Sequence, residues 1–129
     1  MNILVVDDDP MIIEMLTFKL TESGYTVDSV MNGWSALLKL SKNKYDLLVT
    51  DLMMPDISGL TLLSLLKNYT FESIPIIIIT SLDHSTTILS GFGLGAQEYF
   101  VKPLNMDLFL ATVERLTKKS GDVMSGGTT

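Results

Sequence analysis

The sequence predicts an α/β fold in which helices cover both faces of a doubly wound, five-stranded parallel sheet. Three apolar runs, at residues 3–6, 47–49 and 76–79, are continuous rather than alternating, which is typical of strands buried on both faces. Stretches with helical spacing of apolar residues separate these runs, and strand and helix patterns alternate along the chain. A chain of 129 residues without an internal repeat fits one domain of this kind.

The predicted elements follow one another in a regular order. The first helix begins at Asp9-Pro10, a capping residue followed by proline at the first helical position, and it ends before Gly24. Shorter strand candidates at residues 25–27 and 99–101 complete the five strands. The remaining helices are predicted at residues 34–42 (after Asn32-Gly33), 60–67 (after Ser58-Gly59), 85–95, and from Asn105 onward, where Phe109, Val113 and Leu116 line one face.

Composition narrows the classes of function and location. The chain is 47% hydrophobic with a formal net charge of −6, which argues against direct binding of nucleic acid and favours cations and proteins as partners. It contains no cysteine, which excludes a disulfide framework and a thiolate metal site. The first apolar run stops after Val6 without a basic start, and no apolar run has the length of a membrane span. We therefore expect a cytoplasmic protein with no membrane partner.

The end of the chain is small and polar in composition. We predict one folded domain at residues 1–119, followed at residues 120–129 ("SGDVMSGGTT") by a disordered tail or the start of a linker. The sequence leaves open whether an effector domain follows.

Polar side chains stand at the carboxyl ends of the predicted strands. Asp7 and Asp8 follow the first strand, and Asp51 follows the third. Thr80 follows the fourth strand and Lys102 the fifth. In an open parallel sheet the ligand site lies beyond the carboxyl ends of the strands, where the strand order reverses. In the order 2-1-3-4-5 the first and third strands are neighbours at that point, so we expect these side chains to line one pocket.

Three carboxylates in one pocket repel one another unless a cation lies between them. With no cysteine, and with the only histidine, His84, distant from the acids in sequence, the pocket suits Mg²⁺ or Mn²⁺ bound through oxygen atoms. Lys102 supplies a positive charge for a phosphoryl oxygen, and Thr80 supplies a hydroxyl donor. These residue types predict a phosphoryl site in which Asp51 is placed to act as the nucleophile.

Four motifs, in order and at strand ends, carry a resemblance to a known family: "VVDDDP", "DLMMPDISG", "IIIITS" and "GAQEYFVKP". With these motifs the chain resembles the response-regulator receiver family of two-component signalling, over residues 2 to about 118. The resemblance implies a flavodoxin-like sheet and a signalling switch rather than a conventional enzyme. Such a switch is phosphorylated by a partner histidine kinase or phosphotransfer protein, and it catalyses its own phosphorylation and dephosphorylation with Mg²⁺.

The resemblance also implies roles for the acidic residues. Asp51 is the phosphoacceptor, and Asp8 and Asp51 bind Mg²⁺ directly. Asp7 binds the ion mainly through water, and the main-chain carbonyl of Met53 is a further ligand.

Other residues are implied to respond to the phosphoryl group. Thr80 and Lys102 contact it, the Lys102-Pro103 peptide bond is cis, and Tyr99 is the aromatic that changes rotamer on activation. The output surface is then expected on the fourth predicted helix, the fifth strand and the fifth helix. A downstream output protein or domain, or a second copy of the chain forming a homodimer, would dock there.

Two alternatives stand beside this interpretation. A haloacid-dehalogenase-type aspartyl phosphatase also uses an aspartyl nucleophile after a strand, with Mg²⁺ and a lysine. That family has the motif Asp-x-Asp-x-Thr, whereas here Pro10 and Met11 follow Asp9, and no cap domain is evident. The second alternative is a receiver-like interaction module that has lost phosphorylation, and the intact set of pocket residues argues against it.

Overall fold

The computed structural model describes residues 1–52, 61, 62, 64, 74–81, 93 and 95–126, with side chains described up to Lys118. The strands are β1 (Asn2–Val6), β2 (Thr26–Val30), β3 (Leu47–Asp51), β4 (Ile76–Thr80) and β5 (Glu98–Val101). The helices with defined bounds are α1 (Pro10–Glu22), α2 (Gly33–Lys42) and α3 (Met106–Gly126), the last of which is the fifth predicted helix. Among these residues, no helix combines the length and the apolar character that crossing a bilayer requires.

The strands form one sheet in the order β2-β1-β3-β4-β5, and every neighbouring pair is parallel. The predicted class and strand order are therefore confirmed. Val6 of β1 lies opposite Thr50 of β3, and Asp51 lies opposite Ile79 of β4. Because parallel strands end at the same edge of the sheet, the residues that follow β1, β3, β4 and β5 meet at this edge.

Each face of the sheet has its own hydrophobic core, because alternate strand residues point to opposite faces. On one face the central strands pack against α1 and α3, through buried residues that include Leu16, Leu20 and Phe109. On the other face they pack against Ala36 of α2 and against Leu62. The strand residues of β3 and β4 are buried on both faces, which explains why their sequences are continuously apolar.

Each of the three helices begins at a capping residue, as predicted for Asp9 and Asn105; Asn32, predicted only as part of a turn, also caps its helix. Each capping residue accepts a hydrogen bond from a backbone N–H of the first turn: Asp9 from Met11 (2.9 Å), Asn32 from Ser35 (2.9 Å) and Asn105 from Leu108 (3.1 Å). After α1, Gly24 has a φ of +99°, a left-handed conformation that glycine adopts without strain. The chain can therefore turn there directly into β2.

The last helix differs from the prediction. It continues to Gly126, so that the backbone of residues 120–126 is helical where the sequence predicts a disordered tail or linker start. An existing helix extends by one hydrogen bond for each residue that it adds, so extension needs no new nucleation. A glycine such as Gly121 weakens that extension by about 1 kcal/mol relative to alanine but does not forbid it. The domain boundary at residue 119 stays a prediction.

Two predicted helices fall largely outside the described residues. In the region predicted at residues 60–67, residues 61, 62 and 64 are helical, and in the region predicted at 85–95, residue 93 is helical. Gly95 then has a φ of +107° before the chain enters β5.

A buried tyrosine links the edge strand β2 to the segment before β3. The Tyr45 hydroxyl donates a hydrogen bond to Asp28 Oδ2 at 2.6 Å, and Tyr45 is only 6% exposed. Burial raises the pKa of Tyr45, and the hydrogen bond to Asp28 and the negative charge of Asp28 raise it further. The protein therefore holds this phenol in its neutral form.

This raised pKa predicts a loss of stability in alkali. In the unfolded chain the Tyr45 phenol ionises near pH 10, whereas in the folded chain it stays neutral to higher pH. The contribution of the Tyr45 phenol to the free energy of unfolding is therefore present below about pH 10. It is lost as the pH rises toward the pKa that Tyr45 has in the folded chain. We expect the free energy of unfolding, measured by urea titration from pH 9 to 11, to fall less steeply in Tyr45→Phe than in the wild type. Equal slopes in the two proteins would contradict this assignment.

Candidate functional site

The fold brings three acidic side chains together at the carboxyl edge of the sheet. Asp7 follows β1 directly and Asp51 is the last residue of β3, and the pairing of these strands makes the two residues neighbours. Carboxylate oxygens of Asp7, Asp8 and Asp51 all lie within 4.8 Å of one another. Asp7 is fully buried, Asp51 is 4% exposed, and Asp8 is exposed to solvent. The cluster that the sequence predicts is thus present, with one open side.

Asp7 is held in place by the backbone around it. Its own N–H donates to the carbonyl of Val30 at 3.2 Å, at the end of β2. Its Oδ1 accepts a hydrogen bond from the N–H of Asp9 at 2.9 Å. Asp9 therefore has a role that the sequence did not reveal, because the residue that caps α1 also orients the carboxylate of Asp7 through its backbone amide.

Lys102 enters the cluster from the end of β5. Its backbone N–H donates to the carbonyl of Thr80 at 2.7 Å, which ties the end of β5 to the end of β4. Its Nζ lies 2.8 Å from Asp7 Oδ2 and 3.3 Å from Asp51 Oδ2. The Lys102-Pro103 peptide bond is cis, as the resemblance implies. A single ammonium thus contacts both buried carboxylates.

The contacts of Lys102 fix its charge state. Burial alone would lower the pKa of the ammonium, but the hydrogen bond to Asp7 and the negative charges of Asp51 and Asp7 outweigh burial. The pKa of Lys102 is therefore raised above its ordinary value, and the side chain is a cation at neutral pH. Since its side chain is 17% exposed, this charge acts on the pocket with limited screening by solvent.

The donor atoms of the pocket fit a divalent cation. Asp7 Oδ2 is buried and forms an ion pair with Lys102 Nζ at 2.8 Å. Because an ionised carboxylate offers about four lone-pair sites on its two oxygens, Asp7 has capacity for a further cation. Carboxylate oxygens that converge in this way are the ligands that Mg²⁺ prefers. Met53, whose carbonyl is a predicted ligand, lies outside the described residues.

The remaining predicted residues lie on the adjoining strands. Thr80 is the last residue of β4 and is completely buried. Tyr99 lies on β5 opposite Ile78, and it is 38% exposed. A backbone hydrogen bond connects Lys102 to Thr80 at the carboxyl edge of the sheet. Tyr99 lies on β5, three residues before Lys102.

The fold and the site together define a class, a flavodoxin-like α/β domain with a carboxylate cluster at the switch point of its sheet. Comparison with known proteins narrows this class. The family model of the response regulator receiver domain matches residues 3–114 of this chain. The response regulator ArlR of Staphylococcus haemolyticus is 34% identical over 118 residues, which cover 92% of this chain and 53% of the relative. ArlR of Staphylococcus aureus is 33% identical over the same shares of the two chains.

Solved structures agree in both fold and sequence. A two-component response regulator from Clostridium difficile matches with a TM-score of 0.87 and 30% identity, covering 92% of this chain and 97% of that chain. The response regulator TrrA from Thermotoga maritima, solved in complex with Mg²⁺-BeF, matches with a TM-score of 0.80 and 39% identity, covering 89% and 97% of the two chains.

The chain belongs to the response regulator receiver domain family. It is a phosphorylation-dependent switch of two-component signalling, and these matches give no support to the haloacid-dehalogenase-type alternative. The chain spans about half the length of the curated relatives that it matches.

Proposed function

We propose that Asp51 accepts a phosphoryl group from a phosphohistidine of a partner histidine kinase or phosphotransfer protein, with Mg²⁺ held by Asp7, Asp8 and Asp51. The main-chain carbonyl of Met53 is proposed as a further ligand. The observation that carries this proposal is the position of Asp51, which is almost buried, within 4.8 Å of two other carboxylates and 3.3 Å from the Lys102 ammonium. A lone carboxylate in this position would be a poor nucleophile for an anionic phosphoryl group, and the cations offset that repulsion.

The proposed step exchanges one bond for another. A carboxylate oxygen of Asp51 attacks the phosphorus atom, the phosphorus–nitrogen bond of the donor breaks, and the imidazole leaves with the electron pair and takes up a proton. The product is an acyl phosphate on Asp51. Dephosphorylation breaks the bond between phosphorus and the Asp51 oxygen when water attacks phosphorus, and it releases inorganic phosphate. No residue of the chain is consumed, which agrees with a switch that catalyses its own modification.

The residues around Asp51 are suited to this chemistry. When bound, Mg²⁺ supplies positive charge that neutralises the phosphoryl oxygens during transfer. Lys102 is proposed to donate to one phosphoryl oxygen, and the hydroxyl of Thr80 to another. Burial of Asp51 and Thr80 excludes bulk water from most of the site, which strengthens each of these contacts.

We also propose the class of partner, the location and the output surface of the domain. The net charge of −6 favours proteins over nucleic acid as direct partners of this domain, and we place the protein in the cytoplasm with its kinase. The proposed output surface comprises β5, the start of α3 and the fourth predicted helix, which lies largely outside the described residues. The apolar side chains Tyr99, Val101 and Leu108 are exposed on the described part, where an output protein or a second copy would dock.

The phosphoacceptor can be tested directly. Incubation with acetyl phosphate and Mg²⁺ should add one phosphoryl group to the wild type, as measured by intact-protein mass spectrometry. Asp51→Asn keeps the size of the side chain but removes the nucleophile, so it should not be labelled. The bond in the wild type should be labile to base and to hydroxylamine, as an acyl phosphate is.

Asp9→Asn is the matched control, since asparagine also caps helices and the Asp9 backbone N–H stays in place. This variant should be labelled as the wild type is. Labelling that persists in Asp51→Asn would move the acceptor to another residue and would refute the proposal.

A further inference from the structure

We propose that Thr50 is a positioning residue for Asp51. The buried hydroxyl of Thr50 holds the peptide group that follows Asp51, and the direction in which the Asp51 carboxylate points depends on that peptide group. This inference rests on the proposed function, because it takes Asp51 as the phosphoacceptor. Thr50 acts only through Asp51 and contacts no reacting atom.

Thr50 places a hydroxyl in an apolar part of the sheet. It is completely buried, and it lies opposite Val6 of β1 and Ile78 of β4. Since side chains alternate along a strand, Thr50 shares a face with Leu48, and these three neighbours all belong to the hydrophobic core on the α2 side. Valine has the shape of threonine and would fill this position without burying a polar atom, so packing alone does not account for the hydroxyl.

The hydroxyl makes a hydrogen bond beside the proposed nucleophile. Thr50 Oγ1 donates to the main-chain carbonyl of Asp51 at 3.0 Å, in a buried environment. Asp51 is the last residue of β3, so the peptide group before it lies within the strand, whereas the peptide group after it leaves the strand. The hydrogen bond from Thr50 restrains this second peptide group. Because a residue has only two soft backbone dihedral angles, fixing both flanking peptide groups fixes the direction of the Cα–Cβ bond of Asp51.

The direction of the Asp51 side chain matters because the charged groups around it are fixed. Asp51 Oδ2 lies 3.3 Å from Lys102 Nζ, and the Asp51 carboxylate is within 4.8 Å of those of Asp7 and Asp8. The attacking oxygen has to approach phosphorus roughly in line with the bond that breaks, and a misplacement of about 1 Å can lower a rate by roughly a hundredfold. Without the hydroxyl, the peptide group after Asp51 can turn, and the carboxylate spends less time in the reactive direction. Transfer should then be slower although every charged group of the pocket is retained.

The kinetics of labelling test this role. With acetyl phosphate and saturating MgCl₂, Thr50→Val should be phosphorylated roughly tenfold more slowly than the wild type, at a temperature where urea titration shows both proteins to be folded. Thr50→Ala also lacks the hydroxyl, introduces no additional bulk, and should be slow as well. Thr50→Ser restores the hydroxyl and should be labelled at nearly the wild-type rate.

Thr112→Val is the matched control for these variants. Thr112 is a buried threonine of α3 whose hydroxyl donates to a backbone carbonyl, that of Leu108, at 2.9 Å. The substitution therefore removes the same kind of hydrogen bond at a position that is not next to Asp51, and the variant should be labelled as fast as the wild type.

A second measurement detects the hydrogen bond without phosphorylation. In protein labelled with ¹³C-carbonyl aspartate and ¹⁵N-leucine, an HNCO spectrum contains only the carbonyl signals of Asp-Leu pairs, which occur at residues 46–47, 51–52 and 107–108. The signal that Asp51→Asn removes belongs to Asp51. This signal should shift upfield in Thr50→Val, because the carbonyl loses a hydrogen-bond donor, and it should keep its position in Thr50→Ser.

The outcomes separate this inference from the proposed function. Labelling of Thr50→Val at the wild-type rate, labelling of Thr50→Ser as slow as that of Thr50→Val, or an Asp51 carbonyl signal that is unchanged in Thr50→Val would each overturn the inference. The assignment of Asp51 as phosphoacceptor would stand in all three cases. A wild-type protein that is not labelled at Asp51 would instead refute the proposed function together with this inference.

Discussion

Asp8→Ala is expected to abolish both the stabilisation of the domain by Mg²⁺ and the phosphorylation of Asp51. Asp8 is the exposed member of the carboxylate cluster. A hydrated Mg²⁺ ion can therefore bind Asp8 while the ion stays in contact with solvent. In the wild type, a ligand that binds only the folded state stabilises it by about 2.7 kcal/mol at a concentration of 100 times its Kd. Loss of Asp8 removes one negative charge and one ligand from the site, so this stabilisation should be absent from the variant.

The same substitution should not harm the metal-free domain. Removing one of three neighbouring carboxylates relieves repulsion at the edge of the sheet, so the variant should unfold in EDTA at a temperature no lower than the wild type. Thermal unfolding with and without MgCl₂ measures both quantities, and Asp9→Asn again serves as the control that should respond to Mg²⁺ normally. If Asp8→Ala kept the full Mg²⁺ response, Asp8 would not be a ligand and the carboxylate cluster would need another explanation.

The positions of the site residues could be predicted from the sequence because they depend on topology. Continuous apolar runs indicate buried parallel strands, and parallel strands place the residues that end them at one edge. For Asp7 and Asp51, and for Thr80 and Lys102, this argument needs only the strand order, which the structure confirms. A one-residue error in a boundary, such as the inclusion of Asp51 in β3, does not change which edge a residue occupies.

Other features depend on local geometry that residue patterns do not encode. The periodicity of a sequence reports which side chains are buried, but it does not report which of two carboxylates an ammonium approaches more closely. The preference of Lys102 for Asp7, and the use of the Asp9 backbone N–H to orient Asp7, are visible only in the structure. The continuation of α3 to Gly126 was likewise missed, because glycine and serine disfavour a helix without preventing one that has already begun.

Phosphorylation of Asp51 is expected to change the surface formed by β5 and the start of α3, which we define as residues 98–108. A phosphoryl group adds negative charge at the end of β3, and Thr80 and Lys102 can contact it only by moving toward it. The backbone N–H of Lys102 donates a hydrogen bond to the carbonyl of Thr80. We therefore expect these two residues to move together and to shift the end of β5. Tyr99 lies on this strand with 38% of its surface exposed, so it has room to change rotamer.

An edge strand is the element that this movement can shift most easily. Within the sheet β5 pairs with β4 alone, and its outward residues Tyr99 and Val101 are partly exposed. On the opposite side, Phe100 contacts Phe109 of α3 edge to face, with ring centroids 5.5 Å apart, so a shift of β5 is transmitted to the helix. The same argument does not extend to α2, which contacts β1 and β2, at the opposite end of the sheet from β5.

Hydrogen exchange measured by mass spectrometry, with and without beryllofluoride and Mg²⁺, tests this expectation. Amides of residues 98–108 should change their exchange rates on addition of beryllofluoride, whereas amides of α2 should exchange as before. Asp51→Asn under the same conditions separates the effect of the phosphoryl mimic from that of Mg²⁺, and it should show no change at residues 98–108. Rates that change in α1 and α2 but stay constant in β5 and α3 would place the output surface on the other side of the domain. In that case Tyr99 would lose its proposed role, while the assignment of Asp51 as phosphoacceptor would stand on the labelling experiment alone.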